Sequence, residues 1–280
     1  MKVYLNGSYI DAKDAMISVE DRGFFFADGI YEVVRVYEGK PFLMDAHMLR
    51  MRAGLAALHI DASAVPTLNE ISAKLLTDND LLSGDATIYM QITRGVAPRK
   101  HAFPPGVTPT VYVAAKPFKQ HPPEYFTKGI AAITVPDTRW TRCDIKSISL
   151  LPNVLANGAA HEAGAFEALF VKDGMVIEGS HSNLFAVLDG VLMTYPSCNY
   201  ILSGISREIV VRIAVELGLA VREGGLPFER LKDVSELFLS GTTTEVMPVT
   251  SVDGRAIGDG KPGAITTRLA EAFTAYSRGA

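Results

Sequence analysis

Alternating apolar and polar positions predict strands at many points of the chain, and several stretches show the wider apolar spacing of helices. The clearest strand is 30–37, IYEVVRVY, which is rich in β-branched and aromatic residues. Helical spacing is found over 45–58, 67–82, 151–163, 206–217 and 262–276. Because strands and helices mix without a regular strand–helix–strand alternation, the pattern favours an α+β fold over a doubly wound sheet.

The stretch 116–124, KPFKQHPPE, holds three prolines among polar residues and is the best linker candidate. We therefore expect a small N-terminal α/β domain over 1–117, a linker over 118–124 and a large C-terminal domain over 125–280. With 280 residues, of which 48% are hydrophobic, the chain can supply a core for each domain.

The amino-acid composition limits which binding partners and which cellular compartment we expect for this protein. The net charge is −4 and no basic run occurs, which argues against nucleic acid or an anionic membrane as a partner. No stretch reaches the roughly 18 apolar residues of a membrane span, and the first residues lack the apolar core of a signal peptide. The two cysteines, Cys143 and Cys198, fit a reducing cytoplasm better than a disulfide framework.

Two residues stand in contexts that suggest chemistry. Lys146 lies between the mixed-charge segment 142–144 and the apolar run 148–155, which can desolvate an amine, lower its pKa and prepare it for Schiff-base chemistry and proton transfer. A lysine beside apolar residues is nonetheless more often a surface residue whose stem packs on them. Glu178 ends a predicted strand, and it could face water or keep a pyridine nitrogen protonated.

Two segments and an arginine could bind a phosphate. Segment 203–206 leads into a helix whose first N–H groups point outward, although Ser206 could simply cap that helix. Segment 240–244, SGTTT, follows a strand and offers further N–H and hydroxyl donors. One of Arg50 and Arg52 could pair with the phosphate, and the other would be a solvated charge.

A charged loop over 94–104 offers a carboxylate clamp. Arg99 and His101 are spaced to point the same way in an extended segment.

The sequence motifs of nucleotide binding and metal binding are absent. The chain has no G-x-G-x-x-G, Walker A or HExxH motif, and its six histidines show no metal-ligand spacing. The segment 204–208 is not a nucleophile elbow, because no glycine stands at position 208.

Taken together, these motifs resemble the fold type IV (class IV) pyridoxal-phosphate-dependent aminotransferases, and among them the bacterial D-amino acid transaminases most. The resemblance extends from Glu20 to about Phe273. It rests on segments 20–23, 31–37, 98–101, 142–147, 178–180 and 240–243. It implies a two-lobed α+β fold with the active site between the lobes, a cofactor-binding C-terminal domain and a homodimer.

The resemblance also implies a role for each candidate toward pyridoxal 5'-phosphate. Lys146 would carry the cofactor as a Schiff base and move the substrate's α-proton. Glu178 would pair with the pyridine nitrogen, and Leu202 would pack on the ring face. The phosphate would be held by Arg50, by the N–H groups of Ile205 and Ser206, and by Thr242.

The substrate's α-carboxylate would be bound by Tyr31, with Arg99 and His101 reaching in from the partner subunit. Because the α-proton must face Lys146, the position of the carboxylate clamp decides which enantiomer is accepted. By resemblance the clamp selects D-amino acids, so we expect transamination between D-alanine or D-glutamate and the 2-oxo acids pyruvate or 2-oxoglutarate. Three positions depart from the family's pattern, Lys100, His181 and Gly241, and Lys100 is expected to favour a second carboxylate.

Other functions remain open on these residues. Within the same fold type, the chain could be an (R)-amine transaminase, a branched-chain L-amino acid transaminase or an aminodeoxychorismate lyase. A member of a different class would be a non-catalytic carrier of the cofactor, and the plainest alternative is an α+β protein with an unrelated ligand.

Overall fold

The computed structural model describes residues 1–279, the side chain of residue 64 excepted. The chain forms two compact units. The first contains Met1–Lys119 and the short segment Ile145–Ser149, and the second contains Gln120–Asp144 and the chain from Leu150 onward. Segment 145–149, expected within the 125–280 domain, groups with the first unit because its backbone pairs with a strand there. The N–H of Tyr31 donates to the carbonyl of Lys146 at 3.0 Å.

The first unit consists of one sheet and three α-helices in the part of the chain described here. Its strands are β1 (Lys2–Leu5), β2 (Ser8–Asp11), β3 (Gly29–Tyr37), β4 (Lys40–Pro41), β5 (Ala86–Thr93) and β6 (Thr110–Pro117). Its helices are α1 (Arg22–Phe26), α2 (Met44–Ala57) and α3 (Leu68–Asp78). The strands are antiparallel and lie in the order β2-β1-β6-β5-β3-β4. The predicted strand 30–37 and helices 45–58 and 67–82 are confirmed, although α3 ends four residues early.

The core of this unit lies between the sheet and helices α2 and α3. Val34 and Val36 of β3 are fully buried with Met51 and Leu55 of α2, and each such side chain contributes roughly 1.5–3 kcal/mol. Gly54 allows close contact, since a Cβ there would lie 3.3 Å from the side chain of Ile30. This packing lays one face of α2 against β3.

The second unit contains the remaining elements. Its strands are β7 (Ile130–Pro136), β8 (Glu167–Lys172), β9 (Met175–Gly179), β10 (Asn183–Leu188), β11 (Val191–Thr194), β12 (Val221–Glu223), β13 (Leu226–Pro227), β14 (Glu236–Gly241), β15 (Glu245–Val252) and β16 (Arg255–Ala256). Its helices are α4 (Pro123–Thr127), α5 (Leu151–Glu162), α6 (Ile205–Glu216) and α7 (Ala264–Gly279). The three helices predicted over 151–163, 206–217 and 262–276 are therefore confirmed. Helix α4 begins inside the predicted linker 118–124, because Pro123 suits the first helical turn.

The large sheet of the second unit closes on itself. Six strands follow one another in the order β10-β14-β15-β7-β8-β9, and β9 also pairs with β10. The pair that closes the ring is Glu178 opposite Asn183. Alternate side chains fill the interior, where Leu169, Val176 and Leu239 are buried. None of the helices within residues 1–279 is both long and apolar enough to cross a membrane.

Candidate active site

Lys146 lies beside β3 in the first unit. Ser147 forms a bridge with Ile30, and the N–H of Ile148 donates to the carbonyl of Gly29 at 3.1 Å, so the segment runs along the strand. The Lys146 side chain is half-buried, and its Nζ lies 4.3 Å from the centroid of the Tyr31 ring. This amine makes no hydrogen bond or ion pair with the residues that the structure describes. A covalent amine function requires a nitrogen that is held in place without being engaged elsewhere.

A buried carboxylate lies on the next residue of β3. Glu32 is fully buried, and it accepts from His47 Nδ1 at 2.7 Å and from Arg50 Nε and Nη2 at 2.6 and 2.8 Å. His47 and Arg50 share one face of α2, the face that packs on β3. Burial acts to raise the pKa of Glu32, but Arg50 and His47 outweigh it and hold the pKa at about 2. Glu32 is therefore a fixed negative charge, a role that none of the sequence motifs indicated.

Arg50 and Arg52, the two candidate phosphate ligands of α2, differ in burial. Arg50 is half-buried and paired with Glu32, whereas Arg52 is exposed. The bidentate contact with Glu32 holds the Arg50 guanidinium in one orientation, as a phosphate ligand requires. Arg50 therefore stays the candidate of the two, and its phosphate role remains a proposal.

Arg99 and His101 are brought together around one aromatic ring. The Arg99 Cζ lies 5.1 Å from the centroid of Phe26, and the His101 ring centroid lies 5.4 Å from it. Arg22 is buried against the same ring and donates from Nη1 to the carbonyl of Lys100 at 2.5 Å. Arg99 and His101 are themselves exposed. The Arg22 hydrogen bond therefore anchors the backbone of the loop, while the side chains of Arg99 and His101 are exposed.

Glu178 occupies the end of β9 in the second unit and is 4% exposed. Its Oε1 accepts from Arg139 Nη1, and its Oε2 accepts from Asn183 Nδ2 and from the N–H of Leu202, both at 3.2 Å. Burial raises the pKa of Glu178 to about 7, while Arg139 acts in the opposite direction. A second positive group beside this carboxylate would therefore be favourable, and a protonated pyridine nitrogen is such a group.

Arg139 is a site residue that the sequence motifs did not single out. Its side chain is buried, it donates to both oxygens of Asp137 at 2.9 and 3.0 Å, and its guanidinium lies 4.1 Å from the centroid of the Phe170 ring. Arg142, which lies within the quoted motif, is exposed and pairs with Asp144. The sequence feature that could have indicated Arg139 is the Asp-x-Arg spacing directly after a strand, because the Asp137 side chain also accepts from the Arg139 N–H.

Asn183 joins three parts of the second unit's site. Its Nδ2 donates to the carbonyl of Leu202 at 2.9 Å as well as to Glu178. Gly204 must be glycine, because a Cβ there would collide with Asn183 Oδ1. Glu178, Leu202 and the start of α6 are therefore held together by one amide side chain, which the sequence alone did not reveal.

The beginning of α6 presents N–H donors. Gly204 is the N-cap and makes no side-chain cap, and the N–H groups of Ile205 and Ser206 belong to the first turn, where intrahelical acceptors are lacking. The alternative that Ser206 caps the helix is wrong, because Ser206 lies inside it. Such a helix start attracts a phosphate through its N–H groups and its dipole.

The end of β14 lies beside this helix start. Ser240 pairs with Asn183 in the register of β10 and β14. The Ser240 hydroxyl is buried and has no hydrogen-bond partner among residues 1–279. Thr242, half-buried, follows two positions later. The second unit thus gathers all five of its predicted cofactor contacts at one end of the closed sheet: Glu178, Leu202, Ile205, Ser206 and Thr242.

These residues fit pyridoxal phosphate. In the second unit, the buried carboxylate of Glu178 suits a protonated ring nitrogen, and the start of α6 and the Ser240 hydroxyl suit a phosphate. In the first unit, the Lys146 amine suits an aldehyde. The residues that the structure describes contain no group of three or more metal-ligating side chains.

The chain belongs to the family described as Amino-transferase class IV, which matches residues 29–252. Enzymes of this family depend on pyridoxal 5'-phosphate, and the predicted cofactor and fold class are thereby confirmed.

Relatives and solved structures match almost the whole chain. The D-alanine aminotransferase of Staphylococcus epidermidis is 41% identical over 277 residues, which cover 98% of this chain and 97% of that protein. The D-alanine aminotransferase of Bacillus licheniformis is 41% identical over 273 residues, covering 98% and 96%. Among solved structures, the Escherichia coli branched-chain amino acid aminotransferase has a TM-score of 0.90 at 29% identity, covering 99% of this chain and 95% of that one. The T.th. branched-chain amino acid aminotransferase, solved with pyridoxamine 5'-phosphate, has a TM-score of 0.89 at 28% identity, covering 99% and 94%.

Proposed function

We propose that this protein is a pyridoxal-phosphate-dependent transaminase that exchanges the amino group between D-amino acids and 2-oxo acids. The proposed amino donors are D-alanine and D-glutamate, and the acceptors are pyruvate and 2-oxoglutarate. The chain shares 41% of its residues with relatives named D-alanine aminotransferase but 28–29% with the branched-chain enzymes of similar structure. This difference favours D-amino acids over the branched-chain L-amino acid alternative.

The observation that carries the mechanism is the buried carboxylate of Glu178. Pyridoxal phosphate supplies an electron sink for the substrate's Cα, and the sink is strongest when its ring nitrogen is protonated. Glu178 would hold that proton in place. In the absence of the ring its pKa is about 7, so a cationic ring nitrogen beside it would favour the ionised carboxylate. Arg139 and Asn183 orient the carboxylate, which keeps both of its oxygens directed.

Lys146 is proposed to hold the cofactor covalently and to carry the substrate's α-proton. Its Nζ rests over the Tyr31 ring and is not engaged by any described hydrogen-bond partner, so it can accept a proton from a nearby carbon and return it. Glu32, kept ionised by His47 and Arg50, contributes a negative charge to the surroundings of this amine.

The other predicted roles are proposed as the resemblance implies them. Leu202 packs against the ring, and the phosphate is bound by Arg50, the N–H groups of Ile205 and Ser206, and Thr242. The uncapped start of α6 and the position of Ser240 support the phosphate assignment. Tyr31 contributes to binding the α-carboxylate.

We also propose a homodimer in which Arg99 and His101 act in the site of the partner subunit. Both side chains are exposed, and each unit exposes large apolar residues that a second copy would cover. In the first unit Met16 and Phe24 are 80% and 69% exposed, and in the second Leu151 is 69% exposed on α5.

A cytoplasmic location is proposed because Cys143 and Cys198 are both free thiols, which a reducing compartment preserves.

One spectroscopic experiment tests the function. Purified protein should carry the cofactor's visible absorbance, and D-alanine alone should convert it to the spectrum of the aminated cofactor with release of one equivalent of pyruvate. L-leucine, (R)-1-phenylethylamine and aminodeoxychorismate at the same concentration should react at least about 100-fold more slowly, a difference that two misplaced polar contacts can supply.

Each alternative predicts a different spectrum. Faster reaction with L-leucine or with the amine would identify one of the other enzymes of this fold type. A bound chromophore that D-alanine leaves unchanged would identify a carrier. Protein that stays colourless after incubation with pyridoxal phosphate would exclude the cofactor altogether.

A further inference from the structure

Two buried arginines share one carboxylate at the start of the charged loop 94–104. Asp28 Oδ2 accepts from Arg22 Nε at 2.8 Å and from Arg94 Nε at 2.7 Å, and its Oδ1 accepts from Arg94 Nη2 at 3.0 Å. The two arginine side chains are 3% and 7% exposed. Because a buried charge is costly unless it is paired, the contacts with Asp28 hold each guanidinium in one place.

The two guanidiniums differ in the backbone that they bind. Arg94 donates to the carbonyls of residues 58–59 at 2.7 and 2.9 Å, so it connects the start of the loop with the end of α2. Arg22 donates from Nη1 to the carbonyl of Lys100 at 2.5 Å, and its N–H donates to the carbonyl of Gly95 at 2.9 Å. Arg22 therefore holds the loop at two points, one of them in its middle.

The side chains on either side of Lys100 form the carboxylate clamp, which consists of Arg99 and His101. The Arg99 Cζ lies 5.1 Å and the His101 ring centroid lies 5.4 Å from the centroid of the Phe26 ring. The Arg22 Cζ lies 4.8 Å from the same centroid. Arg22 begins α1 and Phe26 ends it, so one short helix carries both the guanidinium and the ring. Arg22 thus contacts the backbone between the clamp residues and the ring against which they lie.

We propose that Arg22 is a positioning residue for substrate binding: held by Asp28, it places the carboxylate clamp to receive the α-carboxylate. This inference rests on the proposed transaminase function and on the clamp's role in it. Arg22 acts through the loop, because a clamp that is fixed before binding loses less conformational entropy when the carboxylate binds. Replacing Arg22 leaves Asp28 paired with Arg94 through both oxygens, so the buried carboxylate keeps an ion pair.

The test compares Arg22→Met in two backgrounds, with half-reactions of the holoenzyme and D-alanine. In otherwise wild-type protein the second-order rate constant should fall about 10-fold, because the two clamp side chains would be ordered only on binding. The fall should come from weaker saturation by D-alanine, with the maximal rate changed less than about 2-fold and the cofactor content unchanged. In protein that already carries Arg99→Ala and His101→Ala, Arg22→Met should change the constant less than about 2-fold, because no clamp remains to be positioned.

A second variant keeps a positive charge beside Asp28. Arg22→Lys lacks the planar fork that donates to Asp28 and to the Lys100 carbonyl together, so its rate constant should fall about 3-fold. Amide hydrogen exchange of peptides covering 95–103 should be faster in both variants, a measurement that does not depend on turnover. Arg230→Met, at an arginine of the second unit that also pairs with carboxylates, is the control and should leave both readouts at the wild-type level.

The outcomes separate three failures. Wild-type rates and exchange in both Arg22 variants, or a loss that is equally large with and without the clamp, would overturn the positioning role. Protein with Arg99→Ala and His101→Ala that reacts as fast as wild type would overturn the clamp on which the inference rests. Wild-type protein that reacts with no D-amino acid would overturn the transaminase function itself.

Discussion

Glu32 and Glu178 are both buried glutamates on strands, one in each unit, yet their pKa values are shifted in opposite directions. Glu32 accepts three hydrogen bonds from His47 and Arg50 and has a pKa of about 2. Glu178 faces one guanidinium, that of Arg139, and has a pKa of about 7. The difference shows that burial alone does not decide the charge of a carboxylate. Arg50 donates to both oxygens of Glu32, whereas Arg139 donates to one oxygen of Glu178.

The two glutamates differ in whether their charge can change near neutral pH. Glu32 remains an anion at any physiological pH and so fixes the position of Arg50. Glu178 can gain or lose a proton near neutrality, and the arrival of a cationic ring would favour its ionised form. The first unit thus holds a constant negative charge near Lys146, and the second holds a carboxylate whose charge can respond to a nearby cation.

The largest expected effect comes from removing the amine. Lys146→Ala should lower turnover more than about 10³-fold, because both the covalent attachment and the proton carrier are lost. The cofactor's absorbance should shift to that of the free aldehyde, measured after gel filtration. Lys74→Ala, at an exposed lysine paired with Asp78, is the control. A mutant with wild-type rate and spectrum would remove Lys146 from the chemistry.

The next effect compares the two glutamates directly. Glu178→Gln should lower kcat on the order of 10²-fold with the fold intact, because the electron sink loses its charged partner. Glu32→Gln should act on stability, by about 3 kcal/mol, because it leaves the buried side of Arg50 without its anion. Single-turnover kinetics and urea unfolding of both variants measure the two effects. Reversed results, with Glu178→Gln unfolding and Glu32→Gln inactive but stable, would contradict the contrast.

A pH dependence follows from the pKa of Glu178 in cofactor-free protein. The folded value of about 7 exceeds the usual 4.5, so between these pH values the folded state keeps a proton that the unfolded state has lost. The free energy of unfolding should therefore fall as pH rises through this window, by about 3 kcal/mol. Glu32 acts in the opposite sense, because its stabilisation is present above pH 4.5 and is lost as pH falls toward 2.

Urea unfolding at intervals from pH 4.5 to 7.5 measures this slope. Glu178→Gln should flatten it, since glutamine does not titrate. A slope that persists unchanged in Glu178→Gln would show that another group titrates in this window.

The sequence allowed the fold class, the five longer helices and β3 to be predicted, because the helices and β3 each rest on a local pattern. The roles of Lys146 and Glu178 stay predictions. Periodicity identifies elements, and the contexts of Lys146 and Glu178 are visible within ten residues. Arg139 and Asn183 were not predicted as site residues, because their roles come from strand pairing and loop contacts. The Arg139 contact with Glu178 spans 39 residues. The pairing of segment 145–149 with β3 likewise depends on tertiary structure.

A smaller effect is expected for Arg99, which contacts neither Glu32 nor Glu178 in the described structure. Arg99→Ala should raise the KM for D-alanine about 10-fold while kcat changes little, because the α-carboxylate loses one charge-assisted contact. Cofactor content, measured by absorbance, should stay at the wild-type level. Arg52→Ala, at an exposed arginine, is the control. Loss of cofactor in Arg99→Ala would instead assign Arg99 to the phosphate.

The smallest expected effect concerns Lys100, which the sequence analysis expects to favour a second carboxylate. Its carbonyl is fixed by Arg22, whereas its side chain is exposed, so truncation should not disturb the loop. Lys100→Ala should lower the ratio of D-glutamate to D-alanine rate constants about 2–3-fold, the range of an exposed ion pair, and added salt should shrink the difference. Lys119→Ala, another exposed lysine of the first unit, is the control. An unchanged ratio at low salt would leave Lys100 a solvated charge without a part in substrate choice.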